Sequence, residues 1–219
     1  MYTEVHKTAV TIRFNKIELK GDLSLPDQAH SLILFAHGSG SSRTSPRNQM
    51  VATYLNDLGM ATFLFDLLTY EEDKDYTNRF NIPLLAQRLK DVTDWIQSEE
   101  TYEHMKIGYF GASTGAAAAL MAARDMKQIS AIVSRGGRPD LAMNDLPFVK
   151  APTLLIAGGL DDELIKLNKE AYEKLRCEKQ LKIVPGATHL FEEKGTMEKV
   201  CMHAANWFEM HLHPLQLHN

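Results

Sequence analysis

Cysteine is scarce in this chain. Its 219 residues hold two, Cys177 and Cys201, which form neither a CxxC pair nor a zinc-ligand spacing. A disulfide framework is excluded, and a reducing compartment, the cytoplasm, fits. Long apolar runs are missing as well. Stretches such as LILFA (32–36) stop far short of the roughly 20 residues that a membrane helix needs. The segment MYTEVHKTAVTIRF has no apolar core of the kind a secretory signal carries. Nor is there an excess of positive charge: 24 Lys and Arg stand against 28 Asp and Glu, a formal net charge of −4. No overall basic field recruits nucleic acid or an anionic membrane, so neither is expected as a partner. The stretch HGSGSSR (37–43) lacks the lysine of a G-x-x-x-x-G-K-[ST] phosphate loop and does not match G-x-G-x-x-G. No cofactor and no metal are expected. His211, His213 and His218 read as a solvated terminus rather than a metal tract.

What is present is alternation. With 44% hydrophobic and 24% charged residues, the chain has the composition of an ordinary globule, and its length fits one domain over 1–219. Short β-rich runs at 8–14, 17–25, 31–36, 61–65, 106–110, 130–134, 153–157 and 181–184 alternate with helical patterns near 46–59, 79–98, 114–125, 163–176 and 195–211. Only Asn15 and Lys16 separate the first two strands, which predicts a hairpin. SLILFA, ATFLF, KIGYF, SAIVS and TLLIA are nearly continuous apolar runs, as in strands covered on both faces. Strand–helix–strand repetition predicts a mostly parallel sheet of about seven or eight strands with helices on both faces.

The chemistry begins where KIGYF runs into GASTG (111–115) and then AAAALMAARD. A G-x-S-x-G between a strand and a helix is the setting of a nucleophile elbow. Small residues on either side let the turn close tightly, and the helix amides point at the serine hydroxyl. Ser113 is the candidate nucleophile. A serine needs a base, and His189, in the loop after the last strand, falls on the same sheet edge. The strand TLLIA ends in Gly158-Gly159-Leu160-Asp161-Asp162. Asp161 is the preferred carboxylate to orient the imidazole; Asp162 is the alternative, with an N-cap role as its plainer reading, and Asp140 is a rarer one. For the oxyanion, the amide of Thr114 and an amide of the loop after 31–36 are the candidates. Ser39 is preferred there, with Gly40 second. His37 reads as structural.

The hairpin, the HG loop, GASTG, GGLDD and GATH, in this order, resemble the α/β-hydrolase family. FAHGSGSSRTSPRN (35–48), SRGGRPDLA (134–142) and VPGATHLFEEKG (184–195) are most similar to its compact dienelactone-hydrolase-like branch, some of whose members are fused to or named after phosphoribosyltransferases. The resemblance covers about 1–212. It implies an α/β-hydrolase fold, a Ser113–Asp161–His189 triad, and ester or related acyl hydrolysis without cofactor. Dienelactone hydrolases proper use a cysteine nucleophile, so the lactone substrate is not carried over. The connection at 135–152 is too short for a large lid.

The expected partner is a small-molecule acyl substrate, and a homodimer is possible for an enzyme of this size. Gly38 and Gly40 would let backbone approach the substrate. Arg43, Arg135 and Arg138, on loops at the edge where α/β sheets bind ligands, are candidates to hold a substrate carboxylate or phosphate. Pairing with Asp66, Asp140 or helix ends is the competing reading, and Arg47 is expected on a first helical turn facing solvent. Two other functions stay open: a non-catalytic binding protein, and phosphoribosyl transfer, against which LLIAGGLDDELIKLN lacks a Thr-Gly phosphate loop after its paired acids.

Overall fold

The computed structural model describes residues 4–14 and 16–213. Strands Val5–Phe14 (β1) and Ile17–Pro26 (β2) pair antiparallel along their whole length. Asn15 and His218 lie outside the described residues. Lys16 has a φ of 66°, in the left-handed region that a two-residue hairpin turn demands. The next strands are Ser31–Ala36 (β3), Ala61–Phe65 (β4), Lys106–Ala112 (β5), Ile129–Arg135 (β6), Thr153–Gly158 (β7) and Lys179–Val184 (β8). All eight expected strands are present, in one sheet ordered β1-β2-β4-β3-β5-β6-β7-β8. From β4 to β8 every neighbour is parallel; only β2, the inner strand of the hairpin, runs against the rest. Every residue of β3, β4 and β7 is buried, as expected for strands with helices on both sides.

Helices Pro46–Asp57 (α1), Tyr70–Asp73 (α2), Ile82–Ser98 (α3), Thr114–Ala123 (α4), Asp162–Lys174 (α5) and Thr196–Leu212 (α6) complete the molecule. Helices α1 and α6 cover one face, where Val51, Leu55, Val200, Ala204 and Phe208 pack on Phe35, Phe110 and Ile156. Helices α3, α4 and α5 cover the other, through Leu89, Val92, Ala118, Leu120 and Ala171. The helix expected from 79 starts three residues later. Asn81 caps it by accepting the Leu84 amide, and Pro83 sits in its first turn, a position where the missing N–H costs nothing. Residues Tyr76–Phe80 form a separate 3₁₀ turn instead.

Residues 66–78 show neither a strand nor a helix pattern in the sequence. They hold α2, closed by a capping box between Thr69 and Glu72. The largely buried Arg88 of α3 pairs with Glu72. Between β6 and β7 the chain makes only two short 3₁₀ turns, Pro139–Ala142 and Leu146–Phe148, with no lid domain. None of the described helices is long and apolar enough to cross a membrane.

Candidate active site

Because β3 and β5 to β8 are parallel, the loops after them share one edge of the sheet. Ser113 stands at the end of β5 with φ 51° and ψ −120°. Left-handed backbone at a non-glycine residue is strained and has to be imposed by its surroundings. Here the Ser113 amide donates to the Arg135 carbonyl at 3.2 Å, while its carbonyl accepts from Ala116 at 3.1 Å and Arg138 at 3.2 Å. A Cβ on Gly111 would overlap Ala116, and one on Gly115 would overlap the Ala36 carbonyl. The two glycines of GASTG thus let α4 press against the ends of β3 and β5.

Ser113 and His189 line one cavity of about 250 Å³, together with Gly38, Ser39, Arg47, Arg135 and Leu190. His189 Nδ1 lies 3.3 Å from Asp161 Oδ2. Asp161 also caps α5, its Oδ1 accepting the Leu164 amide at 3.1 Å. The capping role expected of Asp162 therefore belongs to Asp161, which combines it with facing the histidine; Asp162 is the first residue of α5. Asp140 is engaged by both arms of Arg138, at 2.9 and 2.7 Å.

Thr114 is buried in the first turn of α4, where amides have no partner within the helix. The Ser39 amide donates to the Thr114 hydroxyl at 2.9 Å. The expectation of a free Ser39 donor meets this bond: the two expected oxyanion residues are tied to each other. Gly38 passes so close that a Cβ there would sit 3.1 Å from Ser113 Cβ. Gly40 makes the loop turn with φ 70°. His37 anchors the same loop: its Nε2 accepts the Leu67 amide at 3.1 Å, so Nδ1 carries the hydrogen toward the Gly38 carbonyl, 3.0 Å away. Burial pulls its pKa below the ordinary value, against that carbonyl and the charges of Asp66 and Asp73. It is a neutral structural residue.

The arginines separate into two pairs. Arg43 is held by Asp66, through its amide at 2.9 Å and its guanidinium at 2.7 Å, and lies 3.1 Å from Asp22. Arg138 is forked onto Asp140. Neither lines the cavity, and both make the loop-pinning pairs of the competing reading. Arg135 does line it. Arg47, expected to face solvent, lines it too and reaches Glu192 at 3.1 Å. Sequence offered no signal for Arg47 beyond its place one residue past Pro46; only the fold of the loop after β3 turns it inward.

Among the described residues one group of possible metal ligands gathers, Glu4, His6 and Asp27. All three are exposed and lie beside the start of β4, on the sheet edge opposite Ser113. A groove of about 380 Å³ between the hairpin and α1, lined by Lys7, Asp22, Gln49 and Asn56 among others, contains no comparable chemistry.

Residues 29–211 match the family described as "Alpha/beta hydrolase domain". A crystal structure of dienelactone hydrolase from Anabaena variabilis is 50% identical, with a TM-score of 0.93 over 95% of this chain and 99% of that one. Est1E from Butyrivibrio proteoclasticus shares the fold at 15% identity, with a TM-score of 0.79 over 92% of this chain and 98% of that one. A Mycobacterium tuberculosis protein whose name proposes a phosphoribosyl transferase is 52% identical over 197 residues, 90% of this chain but 44% of that protein. The chain thus spans less than half the length of that curated relative. The fold, the elbow sequence and these likenesses agree that the chain belongs to the alpha/beta hydrolase family, in its dienelactone-hydrolase-like branch.

Proposed function

We propose that the protein is a serine hydrolase of small carboxylic esters or thioesters. The observation that carries this reading is one juxtaposition: Ser113, on a strained elbow, opens into the same cavity as His189, whose other ring nitrogen faces Asp161. In this reading the Ser113 Oγ attacks the acyl carbon, and His189 takes its proton. The Asp161 carboxylate holds the Nδ1–H tautomer and stabilises the imidazolium. His189 then returns the proton to the leaving oxygen or sulfur as the acyl bond breaks. Water, deprotonated by His189, attacks the acyl-enzyme; the acid departs and Ser113 regains its proton.

Charge on the tetrahedral oxygen falls to amide donors. The Thr114 amide, at the positive end of α4, is the first. The Ser39 amide contributes by sharing its hydrogen with the oxyanion or by releasing the Thr114 hydroxyl. The phosphoribosyl transferase name belongs to a relative more than half of which lies outside the match.

The test is intact-mass analysis after a fluorophosphonate probe. One adduct is expected on the wild type and none on Ser113→Ala, with ester turnover of that variant lower by at least about 10³-fold. Absence of an adduct on folded wild type would overturn the reading in favour of a non-catalytic binding protein.

A further inference from the structure

Two cations border the cavity of Ser113, and only one has a carboxylate. Arg47 reaches the exposed Glu192. Arg135 is 6% exposed; its terminal nitrogen donates to the Asn48 side-chain oxygen at 3.3 Å, its Nε has no partner, and among the described residues no carboxylate pairs with it. Its guanidinium lies 5.9 Å from the Phe191 ring centre, at the limit of a cation–π contact. Burial first, and then the neighbouring charge of Arg47, pull its pKa down to about 10, which still leaves it a cation at neutral pH.

A buried charge without a counter-charge is costly, and folded chains retain one where something else meets it. The other loop arginines show the usual solution, since Arg43 and Arg138 carry their own carboxylates. Arg135 is also fixed next to the chemistry: it pairs in register with Ala112, and its carbonyl holds the Ser113 amide. Phe191, which backs it, is kept in left-handed backbone at φ 55°, a conformation a bulky residue adopts only under constraint.

Resting on the reading of Ser113 as nucleophile, we propose that Arg135, with Arg47 beside it, binds an oxyanion, carboxylate or phosphate, that the substrate carries a few bonds from its scissile acyl group. Guanidinium forks suit both groups. Position sets the distance: Arg135 lines the same cavity as Ser113 and pairs in register with Ala112, the residue before that serine, so the anion and the acyl carbon lie only a few bonds apart. The substrates are thus half-esters of small diacids or esters of small phosphorylated alcohols.

Two matched pairs test this: ethyl hydrogen succinate against diethyl succinate, and 2-acetoxyethyl phosphate against 2-acetoxyethanol. The wild type is expected to prefer the anionic member of at least one pair by about tenfold or more in kcat/KM. The pair that shows the preference identifies the source of the oxyanion. In Arg135→Met that ratio should fall about tenfold or more, mainly through KM. Arg135→Lys should recover part of it, and about 0.5 M salt should weaken it in the wild type. Thermal melting checks that each variant folds, and Arg47→Gln carries the test if Arg135→Met does not. Equal rates within both pairs, or an unchanged ratio in the folded variants, overturns the proposal.

Calorimetric titration of Ser113→Ala with ethyl hydrogen succinate and with inorganic phosphate reads the anion site without any chemistry. Millimolar or tighter binding that is lost with Arg135 supports the site even if no ester is turned over. No binding of either anion overturns it while leaving the serine reading intact.

Discussion

Asp161 serves two partners at once, the Leu164 amide through Oδ1 and the His189 ring through Oδ2. Asparagine caps a helix about as well as aspartate but carries no charge for an imidazolium. Asp161→Asn is therefore expected to melt close to the wild type while losing about 10³–10⁴-fold in kcat on an activated ester. Asp162→Asn should stay within about threefold on the same assay; equal losses at both positions would refute the assignment. The sequence placed both acids on one loop and favoured Asp161, with Asp162 left as the alternative, without fixing which one faces the histidine. That depends on side-chain direction at a helix start, which no periodicity encodes. The arginines were less legible still. Arg43 and Arg135 look alike in sequence, and what separates them is Asp66 and Asp22, brought to Arg43 by β4 and β2, with no acid brought to Arg135.

Elements were read more easily than contacts, because an apolar run of five or six residues records a strand covered on both faces. The weakest record was the segment from Asp66 to Asn81, which has no period and is held by side chains. Burial pushes the Glu72 pKa up, but the Thr69 amide and the Arg88 guanidinium overcome this and hold it below its ordinary value. A carboxylate lowered by folding stabilises above the pKa of the unfolded chain, and the contribution is lost as pH falls through its folded value. Glu72→Gln leaves the largely buried Arg88 with only Asp91, 3.9 Å away, so a loss of about 1–3 kcal/mol in urea unfolding at pH 7 is expected. The gap from the wild type should narrow in acid. Gly115 sets a different limit on its element. A single methyl there meets the Ala36 carbonyl, and Gly115→Ala should lower stability by about 1–3 kcal/mol or prevent folding, read by melting and soluble yield.

At the scale of the molecule, His37 ties the pH response to the loop that borders Ser113. Its folded pKa lies below that of a free imidazole, about 6.5, so on acidification the unfolded chain takes up a proton first. Stability is thus expected to fall from about pH 6.5 downward until the folded value is passed. Melting midpoints between pH 7.5 and 5.5 should drop less steeply in His37→Gln than in the wild type; parallel slopes would remove His37 as the cause. The sheet adds a further consequence through its order. β8 is an end strand, joined to β7 alone and only partly buried, and the loop that carries His189 leaves from it. That loop is fastened by the Gly159 and Leu160 amides, which donate to Val184 and Ala187 at 2.8 and 2.9 Å. Opening of a sheet edge takes less free energy than global unfolding. Amides of β8 should therefore exchange with deuterated solvent before those of β3 and β5, and in mild urea the turnover proposed for Ser113 should cease while the centre of the sheet is still closed to exchange.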